Sequence, residues 1–263
     1  MGDDYAKVME SSRSIFGIAF SQTSLDRLVE DLLRPVEPGQ GARLVVTANV
    51  DHVVQLRQNE GLRAAYAHAW RRTIDGFPVY LYARARGLGV EEKVTGADLF
   101  PLLMERFDSA RHRPFFVCAD EGIAKGLTDW LVARGMPADA VGSAVPPFRF
   151  EQDKAYSDWL ASTIRAHGTT HLLFGVGCPK SEIWIDRHRD KVGDVYACAV
   201  GAALAFFTGS LTRAPYPVRR AGFEWLWRAL QEPNRLLKRY FFHSWGFLAA
   251  VVEDMRSPAS ATD

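Results

Sequence analysis

The stretch RLVVTANVDH, residues 43–52, decides the fold. Its first five residues are a short apolar run rich in β-branched side chains, which reads as a strand, and the five that follow read as the turn leaving it. Runs of the same texture recur at residues 114–119 (PFFVCA), 140–145 (AVGSAV), 171–175 (HLLFG) and 195–200 (VYACAV). Between them lie stretches with helical periodicity, at 98–107, 121–134, 153–167 and 179–192. Strands alternating with helices predict an α/β fold, a mostly parallel sheet flanked by helices on both faces.

Local signals set several boundaries. Thr95 followed by Asp98 resembles a helix start, Gly135 stands where a helix should stop, and Pro179 suits a first helical turn. Near the beginning, residues 15–20 read as a strand, Thr23 or Ser24 as the cap of a helix reaching Leu33, and residues 34–42 as a loop.

With 263 residues, 48% of them apolar and 24% charged, the chain has the composition of a folded globular protein with a substantial core. Its organisation reads as an α/β core over residues 1–212, a basic and aromatic helical appendage over 213–257, and a disordered tail over 258–263. Three cysteines, Cys118, Cys178 and Cys198, lie far apart without CxxC spacing, which fits a reducing compartment. The acidic start, with Asp3, Asp4 and Glu10, does not resemble a signal peptide. Residues 195–212 carry no charge but include Gly201, Thr208, Gly209, Ser210 and Thr212, and read as a buried strand running into a short helix rather than a span.

The net charge of +1 hides an asymmetry. Residues 213–245 hold seven Lys or Arg against two Glu, a local excess of +5 that leaves −4 on the remainder. Three of the seven tryptophans, Trp225, Trp227 and Trp245, fall in the same region. Helices are expected at 218–231 and 234–242, and the apolar arc of the first is too broad for a free surface helix. That arc suits either a membrane interface or docking onto the parent domain. No recognition motif for nucleic acid accompanies the basic residues.

In parallel sheets ligands sit beyond the carboxyl ends of the strands, so the residues just after each run carry the functional reading. Thr47 and Asn49 are there as strand-end hydrogen bonders or as ligand contacts. Asp75, before Gly76, is either a turn aspartate or a group presented to a ligand. Gly175, Gly177 and Lys180 form a loop at a helix start, suited to a tight turn or to an anion. The histidines show no HxH or HExxH spacing and there is no Asp-x-Asp, so no metal and no cofactor are expected.

The order of the motifs adds more than any one of them. TANVDHVV (47–54), IDGFPV (74–79), KVTGADLFP (93–101), GVGCPKSEIWI (175–185), VGAALAFFTGSLTRAP (200–215) and GFEWLWRALQEPNRLLKRY (222–240) together resemble the WecG/TagA/CpsF family of bacterial glycosyltransferases, from about residue 43 to 245. The resemblance implies a Rossmann-like core and an inverting, metal-independent transfer from a UDP-sugar donor to a lipid-linked saccharide acceptor, in cell-envelope or exopolysaccharide synthesis. The acceptor's carrier would be undecaprenyl diphosphate. It implies Asp75 as the catalytic base, and Thr47, Asn49, Gly96, Asp98, Gly175, Gly177, Lys180 and Glu182 around the donor. Arg228, Arg235, and Lys238 or Arg239 would meet the acceptor diphosphate at the inner leaflet of the membrane. A cytoplasmic, peripherally membrane-associated enzyme follows, with a homo-oligomer compatible and no nucleic-acid partner. Two positions depart from the pattern: Ser181 stands where Gln is usual and Ala205 where Asp is usual, which suggests a subgroup with its own donor or acceptor contacts. A nucleotide-binding oxidoreductase on the same architecture, and a non-catalytic membrane scaffold, are the other readings.

Overall fold

A computed structural model of the chain describes residues 14–220, 224–231 and 233–256. In chain order the elements are α1 (Leu25–Leu32), β1 (Ala42–Ala48), α2 (Val50–Leu56), α3 (Glu60–His68), β2 (Arg71–Ile74), α4 (Phe77–Ala85), α5 (Gly96–Arg106), β3 (Pro114–Val117), α6 (Glu121–Ala133), β4 (Gly142–Ala144), α7 (Lys154–Ala166), β5 (His171–Phe174), α8 (Lys180–Arg187), β6 (Val195–Ala199), α9 (Ala203–Phe207), α10 (Tyr216–Arg220), α11 (Glu224–Gln231) and α12 (Pro233–Arg256). The six strands form one sheet in the order β2-β1-β6-β5-β3-β4, and every pairing is parallel.

The apolar runs exist because the central strands are buried on both faces. Leu44, Val46 and Ala48 of β1 enter one core with Leu172, Phe174, Ala197 and Ala199, while Val45 enters the opposite core with Leu173, Tyr196 and Cys198. Side chains alternate across a strand with period two, so a strand covered by helices on both sides must be apolar at every position. β4, at the edge, is only three residues long. Gly142 in this strand lies against the ring of Phe115, where a Cβ would come within 2.2 Å of a ring carbon, and Phe115 is itself buried. Gly142→Ala should therefore cost about 1–3 kcal/mol of stability by overpacking, read as a lower urea midpoint at unchanged slope.

Helix starts follow the sequence closely. Ser24 caps α1 by accepting from the Arg27 amide, Thr95 caps α5 by accepting from Asp98, and Gly135 takes φ of +91° after α6. β6 runs into the short α9, as the uncharged stretch implied.

Two expectations change. Residues 15–20 do not form a strand: Ile15 and Ile18 bond only to each other across a tight turn, with Phe16 and Gly17 at positive φ. Of the stretch expected as one helix over 218–231, α10 reaches Arg220 and α11 begins at Glu224, and residues 221–223 lie outside the described residues. The helix expected to end at residue 242 continues to Arg256, because its last turns are held by the core: a Cβ on Gly246 would meet Val54 at 2.9 Å, and Ala250 is buried. Arg57 grips Glu253 at 2.6 and 3.0 Å, Tyr82 donates to Asp254 at 2.7 Å, and the Phe16 amide donates to the same carboxylate. The tail 258–263 lies outside the described residues.

Candidate active site

β1 sits where the chain changes direction across the sheet, with β2 on one side and β6 on the other. The ends of these three strands frame the crevice in which open α/β folds bind ligands. Asp75 is the first residue after β2. Its amide donates to Ala48 O at 2.8 Å, which anchors it against the end of β1 and leaves the side chain half-buried. Gly76 follows because the backbone passes close to Asn49, whose atoms lie 3.2 Å from where a Cβ would be.

Asn49 is the N-cap of α2, its Oδ1 accepting from the amides of Asp51 (3.0 Å) and His52 (3.3 Å). Nδ1 of His52 lies 3.3 Å from the Asn49 amide and 2.9 Å from Asn49 Oδ1, and Nε2 lies 3.1 Å from Oε1 of Glu182. Thr47 is buried at the end of β1. Val94 is drawn to β2 by its amide bond to Ile74 O (3.0 Å) and by the Thr73 hydroxyl (2.9 Å), and this places α5 beside Asp75.

Asp98, in the first turn of α5, receives the Thr95 hydroxyl at 2.7 Å and the Arg213 guanidinium at 2.7 Å. Arg213 also donates to Ala97 O (3.0 Å) and reaches Glu224 of α11 at 3.4 Å, and Arg219 approaches Asp98 at 3.7 Å. The appendage thus meets the core beside Asp75. Desolvation, then the negative charges of Glu224 and Asp98, push the Asp75 carboxyl up to about 6 against the pull of His52 and Lys93. A carboxyl in that range is mostly ionised at neutral pH yet basic enough to take a proton.

The loop after β5 is bound to the same region from the other side. Gly177 has φ of +87°, and its carbonyl accepts from both the amide and the hydroxyl of Ser181 at 3.2 Å. Gly175 makes room for α9, since a Cβ there would meet Leu204 at 2.8 Å. Lys180 opens α8, its ammonium 5.4 Å from the centroid of the exposed Phe148 ring.

Glu182, expected around the donor, is 2% exposed, and its Oε1 lies 3.1 Å from Nε2 of His52, a ring whose charge acts on Asp75. The half-buried Cys178 thiol is pushed up by desolvation and by Glu182, which makes it a poor nucleophile. His52, Cys178 and Glu182 are the set among the described residues with nitrogen, sulfur and oxygen atoms close enough to hold a metal, all within 4.8 Å of one another, and the His52–Glu182 hydrogen bond spans that space. Ser181 and Ala205, the two departures from the family pattern, are both buried, and the Ser181 hydroxyl donates to Gly177 O.

Of the expected residues, Thr47, Asn49, Asp75 and Asp98 come together around the ends of β1 and β2, Gly96 packs against Val200 after β6, and Gly175, Gly177 and Lys180 follow β5, Gly175 against Leu204 and Lys180 at the start of α8. The side chains of Arg228, Arg235, Lys238 and Arg239 lie outside the described residues. Lys93, Arg213, Arg219, Glu224 and His52 are site residues that spacing did not single out. The motifs KVTGADLFP, TRAP and GFEW carry three of them, but only tertiary contacts show that they share one crevice.

Residues 13–261 match the model of the glycosyl transferase WecG/TagA/CpsF family. The N-acetylglucosaminyldiphosphoundecaprenol N-acetyl-beta-D-mannosaminyltransferase of Bacillus spizizenii is 25% identical over 200 residues, which cover 76% of this chain and 75% of that protein. With the family model spanning almost the whole chain, the protein belongs to the WecG/TagA/CpsF family and is a glycosyltransferase.

Proposed function

We propose that the enzyme transfers a sugar from a UDP-sugar, with inversion and without a metal, onto a saccharide carried on undecaprenyl diphosphate, and that Asp75 is its catalytic base. The observation that carries this reading is the half-buried Asp75 carboxyl at the strand-end crevice, raised to about 6 among Glu224, Asp98, His52 and Lys93. The acceptor class follows the name of the Bacillus relative, an N-acetylglucosaminyldiphosphoundecaprenol transferase. The donor is a UDP-linked glucose, N-acetylmannosamine or uronic acid.

In this mechanism the ionised Asp75 removes the acceptor hydroxyl proton as that oxygen attacks the anomeric carbon. The sugar–phosphate bond breaks and UDP leaves as an anion. Positioned proton removal of this kind contributes roughly 10²–10⁴-fold. The leaving charge is met by backbone amides of the Gly175–Lys180 loop, by Lys180 and Lys93, and by the arginines of the appendage. Thr47, Asn49 and Gly96 shape the donor site, and Asp98 holds Arg213 and Arg219 in position. Glu182 acts behind them by fixing His52 and hence the turn at Asn49.

Contact with the inner membrane surface is assigned to the appendage. Trp245, Leu248, Val252 and Met255 are exposed at spacings of three and four residues, so they share one face of α12, while Gly246, Ala250 and Asp254 face the core. No helix among the described residues is long and apolar enough to cross a membrane. An exposed apolar stripe headed by a tryptophan fits the interface of a leaflet.

Because Asp75 must be ionised, the acid limb of kcat/KM should fall near pH 6 rather than near the ordinary aspartate value of 3.8. Glu224→Gln removes the nearest negative charge and should move that limb to lower pH. A limb that stays below pH 5 in the unmodified enzyme would contradict the assignment. Assaying a panel of UDP-sugars with a lipid-diphosphate-linked N-acetylglucosamine tests the whole reading: release of UDP coupled to product is expected with one donor, and no coupled release with any donor would refute it.

A further inference from the structure

On the sheet face covered by α2 and α3, a half-open cavity of about 650 Å3 lies between the Ile15–Ile18 turn, those two helices and the last turns of α12. Its walls carry four arginines, Arg57, Arg63, Arg72 and Arg86, against two carboxylates, Glu253 and Asp254. Both carboxylates are committed. Glu253 is clamped by Arg57, and Asp254 accepts from Tyr82 and from the Phe16 amide.

The remaining arginines have weaker partners. Arg72 donates from Nε and NH2 to the carbonyls of Tyr66 and Ala67, which are neutral, and has no carboxylate of the described residues within ion-pair distance. Desolvation lowers its proton affinity. Arg86 lies over the Tyr82 ring, 5.9 Å from its centroid, again without a carboxylate partner among the described residues. Arg63 donates to Leu56 O at 2.8 Å and reaches only the exposed Glu60, at 3.7 Å. A partly buried guanidinium without an anion is costly, and a pair of them facing one space favours an anion there. The rest of the lining is apolar, with Phe16, Ile18, Val53, Leu56 and Ala250. The volume is that of an ordinary small-molecule site.

We propose that this cavity binds an anionic amphiphile, a phosphate head seated between Arg72 and Arg86 with an apolar body along α2 and α12. The site is separate from the transfer crevice: Tyr66 lines the cavity on one side, and its ring lies 6.2 Å from that of His52 on the other. Occupancy would pull the Ile15–Ile18 turn, α3 and α12 onto one ligand, and so would steady the docked end of the appendage. The proposal does not depend on the transfer reading, since binding is measured without turnover.

The experiment is calorimetric titration of the full chain with monodisperse dihexanoyl phosphatidic acid, in the presence and absence of saturating UDP. One equivalent is expected to bind under both conditions. Dihexanoyl phosphatidylcholine should bind at least tenfold more weakly, showing that the acid head is read. Inorganic phosphate should also bind at least tenfold more weakly, showing that the apolar wall contributes. Arg86→Ala should weaken phosphatidic acid at least tenfold, with Arg86→Lys recovering part of the loss. Arg86 is the diagnostic position because Arg72 also holds two backbone carbonyls, so its replacement risks the fold. Equal affinity for the neutral lipid, displacement by UDP, or unchanged affinity in a folded Arg86→Ala variant would each overturn the proposal. So would binding that appears only after removal of residues 1–13, since the acidic Asp3, Asp4 and Glu10 precede Ser14 at the cavity wall and would then be its natural occupant.

Discussion

Asp75→Asn is expected to lower transfer by roughly 10²–10⁴-fold while leaving UDP-sugar affinity within a few-fold of the unmodified enzyme. The amide has nearly the shape of the carboxyl and keeps its hydrogen-bonding capacity, but it cannot take the acceptor proton. The same variant should be more stable at neutral pH. Asp75 titrates near 6 in the folded protein and near 3.8 when unfolded, so the folded state loses stability as pH rises from about 4 through 6, where the unfolded chain releases its proton first. A shift of about two units corresponds to up to about 3 kcal/mol above pH 6, which the neutral amide recovers. The pair of results is diagnostic: a structural aspartate would lose stability on replacement, whereas a base held in an unfavourable field gains it. Undiminished turnover in a folded Asp75→Asn enzyme removes Asp75 from the mechanism.

Removing residues 218–263 is expected to abolish measurable transfer and to release the protein from anionic liposomes. The truncated chain lacks Glu224 and Arg219, and it leaves Asp98 with Arg213 alone. It also uncovers Phe16, Val54 and Tyr82, which α12 covers, so a lower melting temperature should accompany the loss. A milder variant separates the effects. Trp245→Ser with Leu248→Ser alters only the exposed face of α12 and should reduce liposome binding with the fold intact. Full liposome binding by the truncated chain would place the membrane contact elsewhere.

How much of this was legible beforehand depends on the kind of residue. The strands were legible because β1, β3, β5 and β6 are buried on both faces, and two-sided burial writes itself as an unbroken apolar run. Helices α5 and α6 were legible through Thr95 and Gly135, whose local chemistry is the cap itself. The Ile15–Ile18 turn was not, since apolar residues there serve a folded-over loop as readily as a strand. In the site, Asp75 stood out through its motif. Lys93, Arg213 and Glu224 did not, because a charged residue far along the chain is indistinguishable from a solvated one until its partners are known.

The sequence by itself determined that this chain is a parallel α/β protein resembling one glycosyltransferase family, with Asp75 in that family's aspartate–glycine motif. Those conclusions rest on local preference, periodicity and motif order, which are properties of neighbours along the chain. Only the tertiary structure decided that α12 runs on to Arg256, that Glu182 points inward to His52, and that Arg213, Asp98 and Glu224 meet beside Asp75. The direction of a side chain and the charge around a carboxyl depend on which distant elements pack against it. A linear pattern does not encode that packing residue by residue.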